Sequence, residues 1–338
     1  GSYYGRDQPI RMSVLVTGCA GFIGSYVCRL LLDEGQPVEG VDELNDSYDV
    51  RLKHWRLAQL KSHRGFRFRK LDISDYPALR SVFASNSKGG LSSFSSVINL
   101  GARAGVRQSV EDPWAYYRSN TMGTLNLLEL CREFEVKKFV LASTSSLYGA
   151  DTPRPFKEDS DTSRPLSPYA ASKKAAEALV YTYHYLHGLD ASALRYFTVY
   201  GPAGRPDMSI LKFIRAIAEG EPITVFGDGR QERDFTYIDD IARGTVAALK
   251  PLGYEVINLG GDRPVVLADA IATIEECLEK KARIEYAPLH PADVRATWAD
   301  VSRAQELLGW RPRISIEEGI KRTVDWYREN REWAKDIR

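Results

Sequence analysis

Val16-Thr17-Gly18-Cys19-Ala20-Gly21-Phe22-Ile23-Gly24 joins an apolar run, from Met12 to Thr17, to an amphipathic stretch that continues to about Glu34. The run reads as a short buried strand, the glycines as a tight turn and the remainder as a helix. Glycines at 18, 21 and 24 keep side chains out of the turn, so the backbone can approach a bound anion. The helix N-terminus then offers free N–H groups and the positive end of its dipole to a pyrophosphate. Gly18, Gly21, Phe22, Ile23 and Gly24 are therefore the expected phosphate contacts. The spacing departs from the G-x-G-x-x-G of many dehydrogenases. A second strand, Val38 to Val41, closes on Asp42, 18 residues after Gly24. An acid about 20 residues on is where a dinucleotide fold binds the adenine ribose. Its charge repels a 2′-phosphate, so NAD is favoured over NADP.

Further strands are read at Phe66–Leu71, Val97–Leu100 and Lys138–Ala142, with helices near Pro77–Ala84, Pro113–Glu133 and Tyr169–His187. Strands alternating with helices predict an α/β fold, a Rossmann-type doubly wound parallel sheet with right-handed crossovers. Asp72 and Ile73 follow the third strand and Leu100 ends the fourth, where ligands bind in such sheets. These residues join the expected cofactor site. Asp151 to Pro168 is rich in Pro, Ser and Asp and reads as a surface loop. After Tyr200-Gly201-Pro202 short strands (Ile223–Phe226, Val256–Leu259, Ile284–Tyr286) mix with helices. The expected division is an extension over 1–11, an NAD-binding Rossmann domain over 12–196 with about 235–262 returning, and a smaller C-terminal α/β substrate lobe over 197–234 and 263–338. Gly1-Ser2 resembles a protease scar.

Ser167-Pro168-Tyr169-Ala170-Ala171-Ser172-Lys173 places a tyrosine and a lysine four residues apart, on one helix face. A free tyrosine titrates near ~10, too high for a base at neutral pH, and a nearby cation lowers that value. Y-x-x-x-K alone is common on surface helices. Behind a glycine turn and the Ser/Thr-rich strand end Ala142-Ser143-Thr144-Ser145-Ser146 it reads as an acid–base pair.

Charge is balanced, with 46 basic and 45 acidic residues among 338, so no nucleic-acid or membrane-surface partner is expected. No apolar run reaches the ~18 residues of a spanning helix and no signal peptide is read. Cys19, Cys28, Cys131 and Cys277 lie in apolar segments without paired spacing, and read as buried thiols in a cytoplasmic protein. His184 and His187 make no ligand set, and no metal is expected.

Together these residues resemble the extended short-chain dehydrogenase/reductase family, in its nucleotide-sugar epimerase branch, over about Met12 to Tyr327. Within that branch the likeness is to UDP-glucuronate 4-epimerases. It rests on Asn45-Asp46-Ser47-Tyr48-Asp49, Ala104-Gly105-Val106-Arg107, Phe197-Thr198-Val199-Tyr200-Gly201-Pro202, Gly204-Arg205-Pro206-Asp207-Met208 and Arg233-Asp234-Phe235-Thr236-Tyr237-Ile238-Asp239-Asp240. The resemblance implies a catalytic Thr144, Tyr169 and Lys173, the last also binding the nicotinamide ribose. It implies UDP-sugar contacts at Arg107, Thr144, Ser145, Ser146, Tyr169, Thr198, Arg205, Phe226, Arg233 and Asp293, with Tyr169 also beside the cofactor. Arg233 would hold the diphosphate, Phe226 would border uridine and Asp293 would meet a ribose. It further implies 4-epimerisation of UDP-glucuronate to UDP-galacturonate through a 4-keto intermediate, with NAD regenerated in each cycle. Relatives pair helices corresponding to Asp112–Glu133 and Tyr169–His187 across a twofold axis, so a homodimer is expected.

Family 4,6-dehydratases carry Asp-Glu directly after the catalytic threonine, and UDP-glucuronate decarboxylases a Glu two residues after it. Ser145 and Ser146 stand there, which disfavours both. UDP-galactose 4-epimerases usually carry Asn at the position of Thr198. The remaining alternatives are UDP-glucose/UDP-galactose epimerisation, decarboxylation without a dedicated acid, or a non-catalytic NAD-sensing protein. The last often loses the Tyr or Lys kept here.

Overall fold

A computed structural model describes residues 12–88, 91–92, 94–291 and 296–338. The extension over 1–11 and Asp293 lie outside them.

Seven parallel strands form the central sheet: β1 (Ser13–Thr17), β2 (Val38–Asp42), β3 (Phe66–Lys70), β4 (Phe94–Asn99), β5 (Lys138–Thr144), β6 (Asp190–Tyr196) and β7 (Tyr254–Leu259), in the order β7-β6-β5-β4-β1-β2-β3. The strand order reverses beside β1, which creates the switch point where doubly wound sheets bind ligands. Register brings the carboxyl ends level: Thr17 lies beside Asn99 and Thr144 beside Tyr196. Helices α1 (Phe22–Asp33) and α2 (Val50–Lys61) bury apolar side chains with one sheet face, and α3 (Tyr76–Ser85), α4 (Gly123–Glu133) and α5 (Pro168–His187) with the other. A third apolar cluster gathers α6 (Ser209–Glu219), α7 (Leu267–Leu278) and α8 (Ile316–Ala334). Beside it a parallel pair, Pro222–Phe226 with Arg283–Ala287, completes the C-terminal part.

Three elements differ from the sequence expectation. Strand β6 has no aliphatic run, since Ala191, Ser192 and Ala193 dilute it, yet Ala191 to Tyr196 are all buried. Helix α2 hides Lys53 and Arg56 on its inner face, charges that hydropathy patterning assigns to solvent. The expected helix over Pro113–Glu133 is broken by a wide π turn, Tyr117–Met122. Such widening aims side chains that a regular helix would not. Here it aims Asn120, whose amide accepts from Arg103 N at 2.7 Å and donates to Arg103 O and Ser172 Oγ, each at 3.0 Å.

Candidate active site

The glycine turn is built as its sequence requires. Gly18 adopts φ +70°, and a Cβ there would meet Leu100 O at 2.5 Å; a Cβ on Gly24 would collide with Gly18 O. No side chain caps α1 at Gly21, so its first-turn N–H groups face the cavity without intrahelical partners. Asp42 ends β2 with Oδ2 accepting from Ala20 N at 3.1 Å and Oδ1 from Leu44 N at 2.8 Å. Thr17 Oγ1 donates to Asn99 Oδ1 at 2.7 Å and accepts from Gly101 N at 2.9 Å, which closes the β1 and β4 ends together. The cradle, the uncapped helix and the acid fit a dinucleotide.

Helix α5 begins where Ser167 Oγ accepts from Ala170 N at 3.1 Å, with Pro168 in its first turn, and ends at Gly188 in the left-handed region. This cap fixes Tyr169 at the mouth of the helix, half-buried against the cavity. Tyr169 hydrogen-bonds Thr144, and its ring meets Tyr116 edge-on at 6.2 Å. Burial raises its pKa, while the Thr144 bond and the charge of Arg205 pull the other way. Lys173 is buried and donates to Ala142 O at 2.9 Å. Burial draws its ammonium down to about 8, with the Glu177 charge opposing. The direct lowering of Tyr169 by Lys173 expected from the spacing is therefore not among the influences at work in the chain alone. Lys173 itself has lost much of its hold on a proton.

Thr144 Oγ1 accepts from Ser146 N at 3.1 Å, so the strand end is capped by Thr144 and not by the serines that follow. The hydroxyls of Ser145 and Ser146 have no hydrogen-bond partner among the described residues. One cavity of about 430 Å³ is lined by Gly18, Gly21, Phe22, Ile23, Gly24, Asp42, Asp72, Ile73 and Leu100 at one end. Thr144, Ser145, Ser146, Tyr169, Lys173, Thr198, Arg205 and Arg233 line the rest. Phe226 and Arg107 stand outside that wall; the Arg107 guanidinium lies 3.5 Å from the Phe226 ring centroid, joining the short helix Val106–Glu111 after β4 to the C-terminal part. Arg205 is paired with Asp207 at 2.6 Å.

Sequence reasoning missed Lys53, which lines the cavity and donates to Asn45 O and Oδ1, each at 2.6 Å. It also missed Glu177, Arg195 and Asn120. For Lys53, a lysine on the same helix face as Leu52, Leu57 and Leu60 was the available signal; Glu177, Arg195 and Asn120 gave none. Cys19, Cys28 and Cys131 are buried, but Cys277 is half-exposed on α7, a correction to the expectation of four buried thiols. All four are free.

The sequence pattern of the GDP-mannose 4,6 dehydratase family matches residues 15–323. A UDP-glucuronate 4-epimerase of Thermodesulfobacterium geofontis is 59% identical over 325 residues, covering 96% of this chain and 98% of that one. The chain belongs to the extended short-chain dehydrogenase/reductase family, in its nucleotide-sugar epimerase branch. Among solved members of that family, the UDP-glucuronic acid 4-epimerase of Bacillus cereus, in complex with UDP-glucuronic acid and NAD, superposes with a TM-score of 0.88 at 38% identity. The match covers 94% of this chain and 100% of that one. The UDP-glucose 4-epimerase of Thermotoga maritima, with UDP-glucose, gives 0.85 at 32% identity, over 94% and 99% of the two chains.

Proposed function

We propose that the chain is an isomerase, an NAD-dependent 4-epimerase that converts UDP-glucuronate to UDP-galacturonate through a 4-keto intermediate. The observation that carries this reading is the composition of one cavity wall. Beside Tyr169 stand the hydroxyls of Thr144, Ser145, Ser146 and Thr198, and the only carboxylates among the described lining residues are Asp42, Glu43 and Asp72, at the nucleotide end. Elimination across C5–C6 needs a further acid and base beside the sugar, in addition to Tyr169, and no described lining carboxylate stands there to serve. Neutral donors suit a substrate carboxylate, which is costly to bury without partners.

In this assignment Tyr169 accepts the O4 proton and Thr144 hydrogen-bonds O4 and Tyr169 together. Bound NAD supplies the hydride acceptor, its positive charge and the later hydride donor. As the C4–H bond breaks and the O–H proton passes to Tyr169, C4 becomes a ketone. The ring then turns within the cavity, and the hydride returns to the opposite face while Tyr169 gives its proton back. Lys173, in its charged form, stabilises the phenolate. The C4 ketone is a β-keto acid, which loses CO2 when the C5–carboxylate bond aligns with the ketone π system. Ser145, Ser146 and Thr198 hold the carboxylate away from that alignment, and Arg205 orders the ring. Arg233, with Arg107 and Phe226 nearer the surface, meets the UDP part, and Asp293 a ribose. Residues 12–196 with about 235–262 bind NAD, and 197–234 with 263–338 bind the UDP-sugar.

Incubation of the NAD-loaded protein with UDP-glucuronate, UDP-glucose or UDP-galactose, followed by chromatography, tests the assignment. UDP-galacturonate as the main product from UDP-glucuronate is expected. Equal turnover of the neutral sugars, a UDP-pentose as main product, or no turnover with intact NAD binding would each replace it.

The partner is a second copy of the chain. Trp114, Tyr117 and Met122 before α4, and Tyr181, Tyr185 and Leu186 on α5, leave an apolar face exposed, with Trp114 at 73% and Tyr185 at 75%. A patch of that kind marks an interface. Light scattering should give twice the chain mass, and Trp114→Glu with Tyr185→Glu should give the monomer. No described helix is long and apolar enough to cross a membrane, and the free thiols suit the cytoplasm.

A further inference from the structure

One turn beyond Lys173, α5 carries a second ionisable group that takes no part in the proton transfer. Glu177 is only 3% exposed. Arg195 of β6, equally buried, grips its carboxylate with a fork: Nε to Oε2 at 3.0 Å and Nη2 to Oε1 at 2.8 Å. Ser143 Oγ on β5 donates to the same carboxylate. The third nitrogen of Arg195 reaches Tyr148 OH at 3.1 Å and Glu158 O at 3.2 Å. Tyr148 OH passes the chain of bonds to Asn258 Oδ1 on β7 at 2.6 Å.

What this carboxylate joins is telling. Ser143 immediately precedes Thr144. Arg195 immediately precedes Tyr196, Phe197 and Thr198, all three of which line the cavity. Glu177 sits on the same helix face as Lys173 and Tyr169, at i, i+4 and i+8. A buried bidentate pair fixes geometry more tightly than one hydrogen bond, and its two opposite charges nearly cancel at a distance.

We propose that Glu177 is a positioning residue for the epimerisation: its fork with Arg195 holds Lys173, Thr144 and Thr198 in one register and sets the net charge felt by Tyr169 and Lys173. The inference rests on the assignment of Tyr169 and Lys173 as the proton-transfer pair. The titratable and charged groups around Glu177 are Lys173 on its own helix, Arg195 on β6, Tyr148 and Glu158 beyond β5, and Tyr254 on β7. Glu158 is itself 3.7 Å from Arg303. Burial works against the charge on Arg195, and the Glu177 partner more than offsets it, so the guanidinium is held more firmly protonated.

Removing one charge or both separates a positioning role from a merely structural one. Glu177→Gln leaves Arg195 unbalanced, which favours the phenolate and disfavours the ammonium. Both limbs of the kcat–pH profile move to lower pH, by about one unit, the scale of a single nearby charge. Arg195→Met leaves Glu177 unbalanced and moves both limbs to higher pH. The double variant returns the profile towards that of the unmodified enzyme. The measurement is kcat for UDP-glucuronate against pH on NAD-saturated enzyme, with circular dichroism at each pH. Glu177→Asp, which keeps the charge and shortens the arm, covers a Glu177→Gln protein that does not fold: kcat falls with the limbs unmoved. Opposite shifts in the single variants with return in the double, or the Glu177→Asp signature, support the role. Slower turnover with unmoved limbs in both neutral single variants, shifts of one sign in both, or full kcat in Glu177→Asp would overturn it. Failure of the base assignment is separately visible, as a Tyr169→Phe variant that keeps its rate.

Discussion

Replacing Asp42 with asparagine isolates what the charge at the end of β2 does. Its two oxygens accept from Ala20 N at 3.1 Å and Leu44 N at 2.8 Å. A carboxylate has roughly four lone-pair sites, so about two remain for ribose hydroxyls. Asparagine keeps one acceptor oxygen and turns its NH2 towards one of the two backbone N–H groups, donor against donor. At least one charge-assisted bond is lost, about 1.5–3 kcal/mol. At about 1.4 kcal/mol per tenfold, NAD affinity should fall some 10- to 100-fold. The effect on a 2′-phosphate has the opposite sign. Burial lowers the pKa of Lys53, and the Asp42 and Glu43 charges both work to keep it protonated; with Asp42 neutral, Glu43 still supports the cation while the repulsion of a 2′-phosphate at the end of β2 is gone. The preference for NAD over NADP should therefore narrow by about tenfold or more. Calorimetric Kd values for both cofactors on stripped protein, with product analysis on reloaded protein, provide the check. Equal losses for both cofactors would reduce Asp42 to a brace for the turn. A change in sugar preference would mean that the nucleotide end of the cavity has been misplaced.

Tyr169→Phe should keep the ring contact with Tyr116 and the NAD affinity while turnover falls about 10²- to 10⁴-fold; a rate near that of the unmodified enzyme would sink the base assignment. Thr144→Val removes both the hydroxyl beside Tyr169 and the acceptor for Ser146 N, and should slow the single-turnover hydride step about 10²-fold. Ser145→Ala and Thr198→Ala should epimerise more slowly and release a rising share of UDP-pentose, measured by chromatography, and an unchanged rate and product ratio in both would leave the carboxylate grip unsupported. Lys173, drawn down to about 8, holds its proton below that pH and loses it above. Turnover should accordingly decline as pH rises through the alkaline side of neutrality, in a profile that Lys173→Met abolishes.

The central sheet was legible because several of its strands carry short apolar runs followed closely by glycine or an acid, and because the candidate ligand-binding residues were sought at strand ends, where sequence order locates them. Asp42 and Leu100 needed only the strand boundaries, whereas Thr144, two residues past the expected end of its strand, came through the family resemblance. What escaped the sequence were positions whose chemistry contradicts their burial. Lys53 and Arg56 face inward because Asn45 and the Ala20 and Ala203 carbonyls accept their protons, partners from three separate segments. Glu177 and Arg195 are invisible for the same reason, being 18 residues apart and meeting only when α5 packs on β6. The π turn that aims Asn120 has no propensity signature, since it is stabilised by bonds to Arg103 and Ser172 across the fold.

The tyrosine–lysine spacing was legible as a motif, but its physics is not the simple pairing that the spacing suggests. In the chain itself burial keeps Tyr169 neutral and at the same time weakens the ammonium that is meant to help it. A phenolate there draws on positive charge beyond that of Lys173. Arg205 supplies some, though Asp207 holds it in a two-pronged pair at 3.1 and 2.6 Å. A substrate carboxylate beside Ser145 and Thr198 would push the Tyr169 pKa further up, because like charges oppose ionisation. The hydroxyl wall limits that cost, since neutral donors spread the substrate's charge without adding a second cation to compete for the phenolate. On the proposed assignment, burial favours the neutral phenol of Tyr169, and a cationic cofactor seated beside Lys173 would favour its phenolate. Under that assignment the coupling would tie O4 deprotonation to the complex that can also take the C4 hydride. It gives a physical reason for burying Lys173 and half-burying Tyr169 beside a wall of neutral hydroxyls.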